Sequence, residues 1–310
     1  MAVTAAMVKK LRDMTGAGMM ACKKALTAAD GDMDKAVEVL REQGLAGAQK
    51  KAGRIAAEGT VCVKIAEDEK TGVLVEINTE TDFAANTDKF KNYAAQVADQ
   101  ALATSADGID AFLAEKWSLD PQLTVEQELS SMVSVIGENM HIRRFAKLHD
   151  ENGIIVPYIH MGGKIGVIVD IETDTVNDEI REMAKNVAMQ AAAMKPLYTT
   201  RAEVSQEYLD HEREVLTVQA KQEKPDANDK ILNGMVMGRI NKELKEICLV
   251  DQVYVKAEDG KQSVGQYVAS VAKANSAKVS VRGFVRFETG EGLEKKEENF
   301  AEEVAKQMNK

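Results

Sequence analysis

Apolar residues in the first 45 positions recur every three or four residues, as they do on the buried face of a helix. The first run is Val3, Met7, Leu11 and Met14, and a later one is Met33, Val37 and Leu40. Residues 15–18 contain two glycines and separate the first helix from a second through residues 19–29. We expect the third helix to begin after the N-cap Asp32 and to end at Gly44. Residues 1–54 are therefore predicted to form a three-helix domain that ends in a linker.

Beyond residue 55 the pattern changes to alternation of apolar and polar positions, which is typical of strands. The alternating runs are Val61, Val63 and Ile65, then Val73, Val75 and Ile77, and a helix with Phe90, Tyr93, Val97 and Ala101 follows. Residues 70–77 realign with residues 164–171 at a shift of 94, and each copy leads into a helix. The sequence therefore predicts an α+β fold with a duplicated core and antiparallel sheets. The two subdomains are expected at 55–140, and at 141–200 with 248–288.

A helical insertion interrupts the second subdomain at residues 201–247. Its first helix carries Val204, Tyr208, His211, Val215 and Val218, and its second carries Leu232, Val236, Ile240, Leu244 and Ile247. Pro225 separates the two, which predicts an antiparallel coiled-coil hairpin of roughly 36 Å at 1.5 Å per residue.

After the hairpin we expect a strand with Val253 and Val255, a helix over residues 264–274 and a strand over residues 278–288. Residues 289–310 then form a C-terminal helical module with one apolar stripe. That stripe either packs on the body or docks on a partner.

The distribution of charge separates the first domain from the rest. The chain carries a net charge of -10, yet residues 1–54 hold ten Lys and Arg against six Asp and Glu, a net of +4. The acidic body argues against general nucleic-acid binding, and the basic domain suits an acidic face on a protein partner. Three cysteines without a C-x-x-C pair argue against a disulfide scaffold or zinc site and favour a reducing, cytoplasmic setting. We expect neither a signal peptide nor a membrane span.

Motifs for covalent chemistry are weak in this sequence. Residues 16–21 match G-x-G-x-x-A, but they follow a predicted helix instead of the strand that a dinucleotide site requires. The four histidines show no metal-binding spacing, and no G-x-S-x-G motif occurs. We therefore predict no enzyme, no cofactor and no metal, with an unrecognised catalytic site as the alternative.

One polar connection, residues 78–87, stands out because it contains an aromatic side chain between the strand ending at Ile77 and the helix with Phe90. In one interpretation Asp82 caps the turn and Phe83 packs against the helix as a staple. In the other, both project as a wedge towards another protein.

The adjacent Met19 and Met20 pose a similar choice. One of two neighbouring helical residues should face the core. The other is then available for a soft apolar contact with a partner, in a surface whose rim carries the basic Lys23 and Lys24.

Two segments carry a family resemblance. Residues 11–26, LRDMTGAGMMACKKAL, and residues 76–83, EINTETDF, resemble two signatures of the elongation factor Ts family, guanine-nucleotide exchange factors for EF-Tu. The order of modules is similar along essentially the whole chain. The resemblance implies a ubiquitin-associated-like N-terminal bundle, a duplicated core, a coiled-coil arm and a C-terminal helix.

The resemblance also implies roles for residues. The family's Thr-Asp-Phe-Val loop pushes towards the nucleotide and magnesium site of the GTPase, and it corresponds here to Thr81, Asp82, Phe83 and Ala84. The implied partner contacts are Arg12, Met19, Met20, Lys23, His160, Met235, Val236 and Phe300. Ala84 replaces the usual valine, which is expected to remove apolar area from the wedge. Residues 298–301, ENFA, replace a second Thr-Asp-Phe-like run of some relatives.

The implied activity needs no covalent step by this chain. A factor that binds nucleotide-free EF-Tu more tightly than its GDP-bound form must lower GDP affinity by the same ratio. Disturbing the magnesium and phosphate-loop region would release GDP and let GTP rebind. The alternative is an adaptor or RNA-associated binding module without exchange activity. A homodimer through the helical arm is a further hypothesis, based on the heptad-like spacing.

Overall fold

The computed structural model describes residues 2–294. The N-terminal domain consists of α1 (Ala5–Thr15), α2 (Met19–Ala28) and α3 (Met33–Lys51). The Thr4 hydroxyl accepts a hydrogen bond from Met7 N at the start of α1, and Gly16 ends this helix in the left-handed region at φ 67°. Leu11, Cys22 and Leu26 are buried between the helices. Short helices of this kind are stabilised mainly by the apolar faces that they bury against each other.

The first half of the body contains a three-stranded sheet covered by helices. Its elements are β1 (Glu58–Ile65), β2 (Thr71–Thr79), α4 (Asp82–Ala85), α5 (Asp88–Ala103), α6 (Ile109–Ala114), β3 (Lys116–Trp117), β4 (Asp120–Thr124), α7 (Val125–Ile136) and β5 (Met140–His149). The sheet is antiparallel in the order β1-β2-β5. The subdomain limit expected at residue 140 thus falls at the start of β5, and residues 141–149 pair with β2 as part of the first sheet.

The second half repeats this arrangement around an inserted hairpin. Its elements are β6 (Gly153–His160), β7 (Ile165–Thr173), α8 (Asp178–Met194), α9 (Gln206–Glu223), α10 (Asp229–Ile247), α11 (Val264–Ala274) and β8 (Val279–Glu288). The sheet order is β6-β7-β8, again antiparallel. The strand expected at Val253 and Val255 is wrong: Val253 forms an isolated bridge with Ser263, and Val255 lies in a turn. The sequence pattern placed Val253 and Val255 on the buried side, but both are exposed, and Tyr254 between them is the buried residue.

The two sheets pack face to face, with one helix layer outside each. Val73, Val75 and Ile77 of β2 contribute to the core shared with α5, and Val167, Val169 and Ile171 of β7 contribute to the core shared with α8. On the inner faces, Leu74 and Ile168 meet in one cluster between the sheets. A β-carbon at Gly72 would lie 2.5 Å from Ile155 Cγ2, and one at Gly166 would lie 2.4 Å from Val61 Cγ1. These glycines let the sheets approach. The predicted α+β fold with a duplicated core is confirmed.

The helical hairpin is formed by α9 and α10. On α10 the predicted stripe is buried as Leu232, Val236, Ile240 and Leu244. On α9 the predicted seam is wrong beyond Tyr208, because Leu216 and Ala220 face α10 while Val215 and Val218 are exposed. The buried residues of α10 repeat every four positions and form a ridge along the helix. The residues of α9 that pack against this ridge, Leu216 and Ala220, are also four positions apart, so the predicted alternation of four and three does not hold there.

The third N-terminal helix does not end at Gly44, as the sequence suggested. It continues to Lys51, through the first half of the linker predicted at residues 49–54, and Gly44 is buried inside it. A β-carbon at Gly44 would lie 3.5 Å from Ser134 Oγ, an ordinary contact distance, so this part of α3 packs directly against α7. Arg41 of α3 also pairs with Asp120 at 3.0 Å. The N-terminal domain is thereby attached to the first half of the body.

The predicted C-terminal module lies mainly outside the described residues. Residues 289–292 form turns after β8, while Phe300 and the apolar stripe follow residue 294. Among residues 2–294 we find no helix that combines the length and apolar character required to cross a membrane.

Candidate partner-binding site

The connection between β2 and α5 is an insertion relative to its duplicate. Eight residues, 80–87, join β2 to α5, whereas four residues, 174–177, join β7 to α8. The longer connection contains α4, one helical turn at the end of a buried strand. The two halves therefore differ at the position of the polar segment that the sequence singled out.

Phe83 projects from this turn into solvent, with 85% of its surface exposed. Ala84 and Ala85 on the other side of the turn are buried and hold it against the body. The interpretation of Phe83 as a packed staple is therefore wrong. Asp82 is also exposed, in the first turn of α4. Because Ala84 faces inward, the replacement of the family's valine removes little exposed apolar area.

Glu138 joins the turn to the connection between α7 and β5. Its Oε2 accepts hydrogen bonds from Thr79 Oγ1 at 2.9 Å and from Thr81 N at 3.0 Å. Its Oε1 accepts one from Thr81 Oγ1 at 2.7 Å. Thr81 Oγ1 in turn accepts from Ala84 N at 3.1 Å, as the N-cap of α4.

A second carboxylate makes the reciprocal connection. Glu80 Oε1 accepts a hydrogen bond from Asn139 N at 2.6 Å and pairs with Arg54 at 3.3 Å. The buried Asn139 amide donates to the carbonyl oxygens of Ala52 and Arg54 at 3.4 and 2.8 Å. The base of the projecting turn is thus bound to the segment that leaves the N-terminal domain.

His160 lies at the end of β6, in front of a tight turn. Its Nδ1 lies 3.0 Å from the Tyr158 hydroxyl, and the two rings stack with centroids 5.9 Å apart. Met161, the next residue, is exposed and has a left-handed φ of 48°. A β-carbon at Gly163 would lie 2.0 Å from Thr60 Oγ1, so the turn lies directly against β1.

The His160 turn and the Phe83 turn lie at the same end of the body. Glu58 at the start of β1 pairs with Thr79 across the sheet and forms an ion pair with Lys164, just after the His160 turn.

A cavity of about 280 Å³ opens at this end. It is lined by Ile55, Ala56, Asn78, His141, Arg143, Leu293 and Glu294. Burial lowers the pKa of His141, which favours its neutral form.

The N-terminal candidates form a separate surface at the junction of α1 and α2. Arg12, Met19, Met20 and Lys23 are all exposed. The expectation that one methionine faces the core is wrong, because the smaller Cys22 and Ala25 occupy that side of α2. Met14, which the sequence pattern assigned to the buried face of the first helix, is instead exposed at the end of α1 and lines a cleft of about 590 Å³ between this domain and α7.

The candidates on the hairpin are not brought together with the Phe83 turn by any described contact. Val236 is 3% exposed and fills the seam between α9 and α10. A partner that binds this flank would therefore touch the half-buried Met235. Within the described part of the chain, no group of three or more His, Cys, Asp and Glu residues is arranged to hold a metal ion.

Known proteins resemble this chain over nearly its full length. A family profile described as "Elongation factor TS" matches residues 80–291. The chain is 52% identical over 307 residues to "Elongation factor Ts" of Clostridium tetani, covering 99% of each. It is 51% identical over 306 residues to the protein of that name from Clostridioides difficile, again with 99% of each covered. The protein of the same name from Clostridium botulinum strain Eklund 17B is 48% identical over 309 residues, with 99% and 100% covered.

Proposed function

The chain belongs to the elongation factor Ts family, and we propose that it accelerates the release of GDP from EF-Tu. The family makes it a translation elongation factor. In the proposed mechanism it binds EF-Tu·GDP and inserts the Phe83 turn beside the magnesium and phosphate-loop region of the GTPase. GDP then leaves, and GTP rebinds because it is the nucleotide in excess.

The exposed aromatic ring of Phe83 carries this proposal. A side chain with 85% exposure buries almost no apolar surface in the folded chain, so the whole ring is available to be buried against a partner, where aromatic side chains often dominate the binding energy. The hydrogen bonds of Glu138 and Glu80 at the base of α4 hold it in one place. Asp82 beside it brings a negative charge, which would repel phosphate oxygens and compete for their cation.

Binding energy alone is sufficient for exchange. If this chain binds nucleotide-free EF-Tu a thousandfold more tightly than EF-Tu·GDP, it weakens GDP binding by the same factor, or about 4 kcal/mol. The N-terminal surface with Arg12, Met19, Met20 and Lys23 would supply much of that binding from a second point. Two separated contacts on one rigid chain fix the orientation of the Phe83 turn against its partner.

Stopped-flow release of a fluorescent GDP from purified EF-Tu tests the proposal, with this chain titrated from zero to saturation. We expect saturable acceleration, and we expect Phe83→Ala to reduce the maximal rate by about tenfold, the loss typical of an interface hot spot. Leu119→Ala is the matched control because Leu119 is also an exposed apolar residue, 65% accessible in the turn between β3 and β4.

Each outcome of this titration has a definite meaning. Equal losses from Phe83→Ala and Leu119→Ala would remove Phe83 from the mechanism while leaving exchange itself in place. The absence of acceleration by the folded wild-type chain would contradict exchange and favour an adaptor that binds without releasing nucleotide.

Self-association through the hairpin is a separate proposal. Val215, Val218 and Ile231 lie exposed on α9 and α10, and a second copy would cover them. Sedimentation across the micromolar range tests this proposal, and an unchanged monomer would contradict it.

A further inference from the structure

We propose that Glu138 is a positioning residue for the Phe83 turn: its carboxylate fixes Thr81, and Thr81 fixes the direction in which Phe83 projects. The effect on GDP release rests on the function proposed above. The effect on the turn itself concerns only this chain and can be measured without a partner.

The hydrogen bonds of Glu138 determine how Thr81 is used. A threonine hydroxyl has one proton to donate, while an ionised carboxylate only accepts. Because Thr81 Oγ1 donates its proton to Glu138 Oε1 at 2.7 Å, its lone pairs remain for Ala84 N at 3.1 Å. Glu138 thereby sets the hydroxyl in the orientation that caps α4, and its other oxygen holds the Thr81 backbone amide.

The turn needs such support because its own structure is weak. Four residues make a single helical turn, far below the length at which helices persist alone in water. Phe83 contributes almost no packing, so apolar anchoring comes from the small side chains of Ala84 and Ala85. The hydrogen bonds that Glu138, Thr81 and Glu80 make at the base of the turn are therefore needed to hold it in one conformation.

Glu138 itself is held at a defined point of the fold. Gly137, at a left-handed φ of 91°, ends α7, and β5 begins at Met140. Between them, Asn139 donates hydrogen bonds to Glu80 through its backbone and to Arg54 O through its side chain. The carboxylate thus projects from a segment fixed on both sides.

Order in the free turn matters because insertion into a partner requires one conformation. A turn that samples several directions must lose that freedom on binding, which costs affinity without removing any contact. Substitution of Glu138 should therefore slow GDP release although Glu138 itself need not touch EF-Tu.

Hydrogen exchange of the free protein tests the structural part, measured by mass spectrometry on peptides that cover residues 81–87. We expect Glu138→Ala to accelerate amide exchange there by about tenfold, because the loss of three hydrogen bonds favours local opening. Glu138→Gln keeps one acceptor oxygen and should give a smaller effect. Glu67→Ala, which removes an exposed carboxylate from the turn between β1 and β2, should change nothing in this segment.

A second pair of variants approaches the same hydrogen bond from its other end. Thr81→Val removes the hydroxyl and should accelerate exchange like Glu138→Ala, whereas Thr81→Ser keeps the hydroxyl and should restore protection. If Glu138→Ala fails to fold, the comparison of Thr81→Val with Thr81→Ser tests the same hydrogen bond in its place. Unchanged exchange over residues 81–87 in folded Glu138→Ala or Thr81→Val would overturn the proposal.

A double-mutant cycle separates positioning from general destabilisation. We expect Glu138→Ala to lower the maximal rate of GDP release by about fivefold, and the double variant with Phe83→Ala to release GDP no more slowly than Phe83→Ala alone. Losses that multiply would show that Glu138 acts independently of Phe83 and would overturn the positioning role. If Phe83→Ala leaves release unchanged, the proposed function of Phe83 fails, and hydrogen exchange alone decides the role of Glu138.

Discussion

Glu76 and Asp170 occupy the same position on the central strands of the two halves, directly before the point at which each pairs past a β-bulge in the neighbouring edge strand. Their surroundings differ. Glu76 is fully buried and accepts hydrogen bonds from Arg144 Nε at 2.6 Å and Gly290 N at 2.8 Å. In the second half Gly283 stands opposite Asp170, where Arg144 stands opposite Glu76. The duplicated fold has therefore kept an acidic residue at both bulges but has placed an arginine directly opposite only one.

Asp170→Asn should make the protein more stable at neutral and alkaline pH. Burial and the neighbouring Asp150 raise the pKa of Asp170 to about 7, above the roughly 4 expected in the unfolded chain. The folded state therefore keeps a proton that the unfolded state has lost, and the free energy of unfolding falls as the pH rises through this window. We expect Asp170→Asn to add about 1–2 kcal/mol at pH 8, a figure reduced for solvent screening, and little at about pH 4.

Urea denaturation at both pH values measures this difference, with Asp226→Asn in the exposed hairpin turn as the control. Stability profiles of wild type and Asp170→Asn that run parallel with pH would contradict the assignment.

Arg143→Ala and Arg282→Ala form a matched pair, because both arginines are the extra residue at the bulge of an edge strand. Arg143 contacts the buried Glu76 at 2.9 Å, whereas Arg282 is 62% exposed and lies 3.6 Å from a half-buried Glu172. Removing one partner of a buried carboxylate leaves part of its charge uncompensated, while exposed pairs contribute little. We expect losses of about 2 kcal/mol for Arg143→Ala and below about 0.5 kcal/mol for Arg282→Ala in chemical denaturation. Similar losses would show that Glu76 is held by its other contacts.

Repetition in the sequence was the most informative signal for the fold. The realignment of residues 70–77 with 164–171 predicted two equivalent strands, each followed by a helix. This prediction succeeded because the pattern of apolar positions in a strand depends on which of its own residues are buried, and that pattern can be read from the local sequence. It could not show that β5 returns to the first sheet, since strand pairing is a non-local property. The segment with α6, the β3–β4 hairpin and α7 also carried no repeat and was not predicted in detail.

Single residues were misinterpreted where tertiary contacts decide their role. Glycine is a common helix-ending residue, which is why the helix was predicted to end at Gly44. Gly44 instead lies inside α3, where it packs against α7. For Phe83 the sequence allowed both a staple and a projecting side chain, and only the structure shows the exposed ring. The support from Glu138 was equally invisible, since 57 residues separate it from Thr81 in the chain.

Gly166→Val should separate the two sheets. A β-carbon at Gly166 would lie 2.4 Å from Val61 Cγ1 and 3.0 Å from Leu74 Cδ2, too close for either side chain to remain in place. Overpacking of this kind costs about 1–3 kcal/mol. Gly283→Val is the control, because a β-carbon at this strand glycine meets no atom within 4 Å. Thermal unfolding measures both variants, and a Gly166→Val protein as stable as Gly283→Val would show that the sheets can adjust without cost.

Lys23→Glu should slow association with EF-Tu more than it speeds dissociation. Lys23 is exposed on a domain whose net charge is +4, and charges at the rim of an interface act mainly through long-range attraction before contact. We expect the association rate constant to fall by about threefold to tenfold at low ionic strength and the difference to shrink as salt screens the charges. Lys185→Glu on α8 changes the net charge equally at a site away from the proposed interface, so it controls for total charge. Stopped-flow mixing with labelled EF-Tu measures both rate constants. A change confined to dissociation would mean that Lys23 makes a close contact in the complex and that the basic domain does not steer its approach.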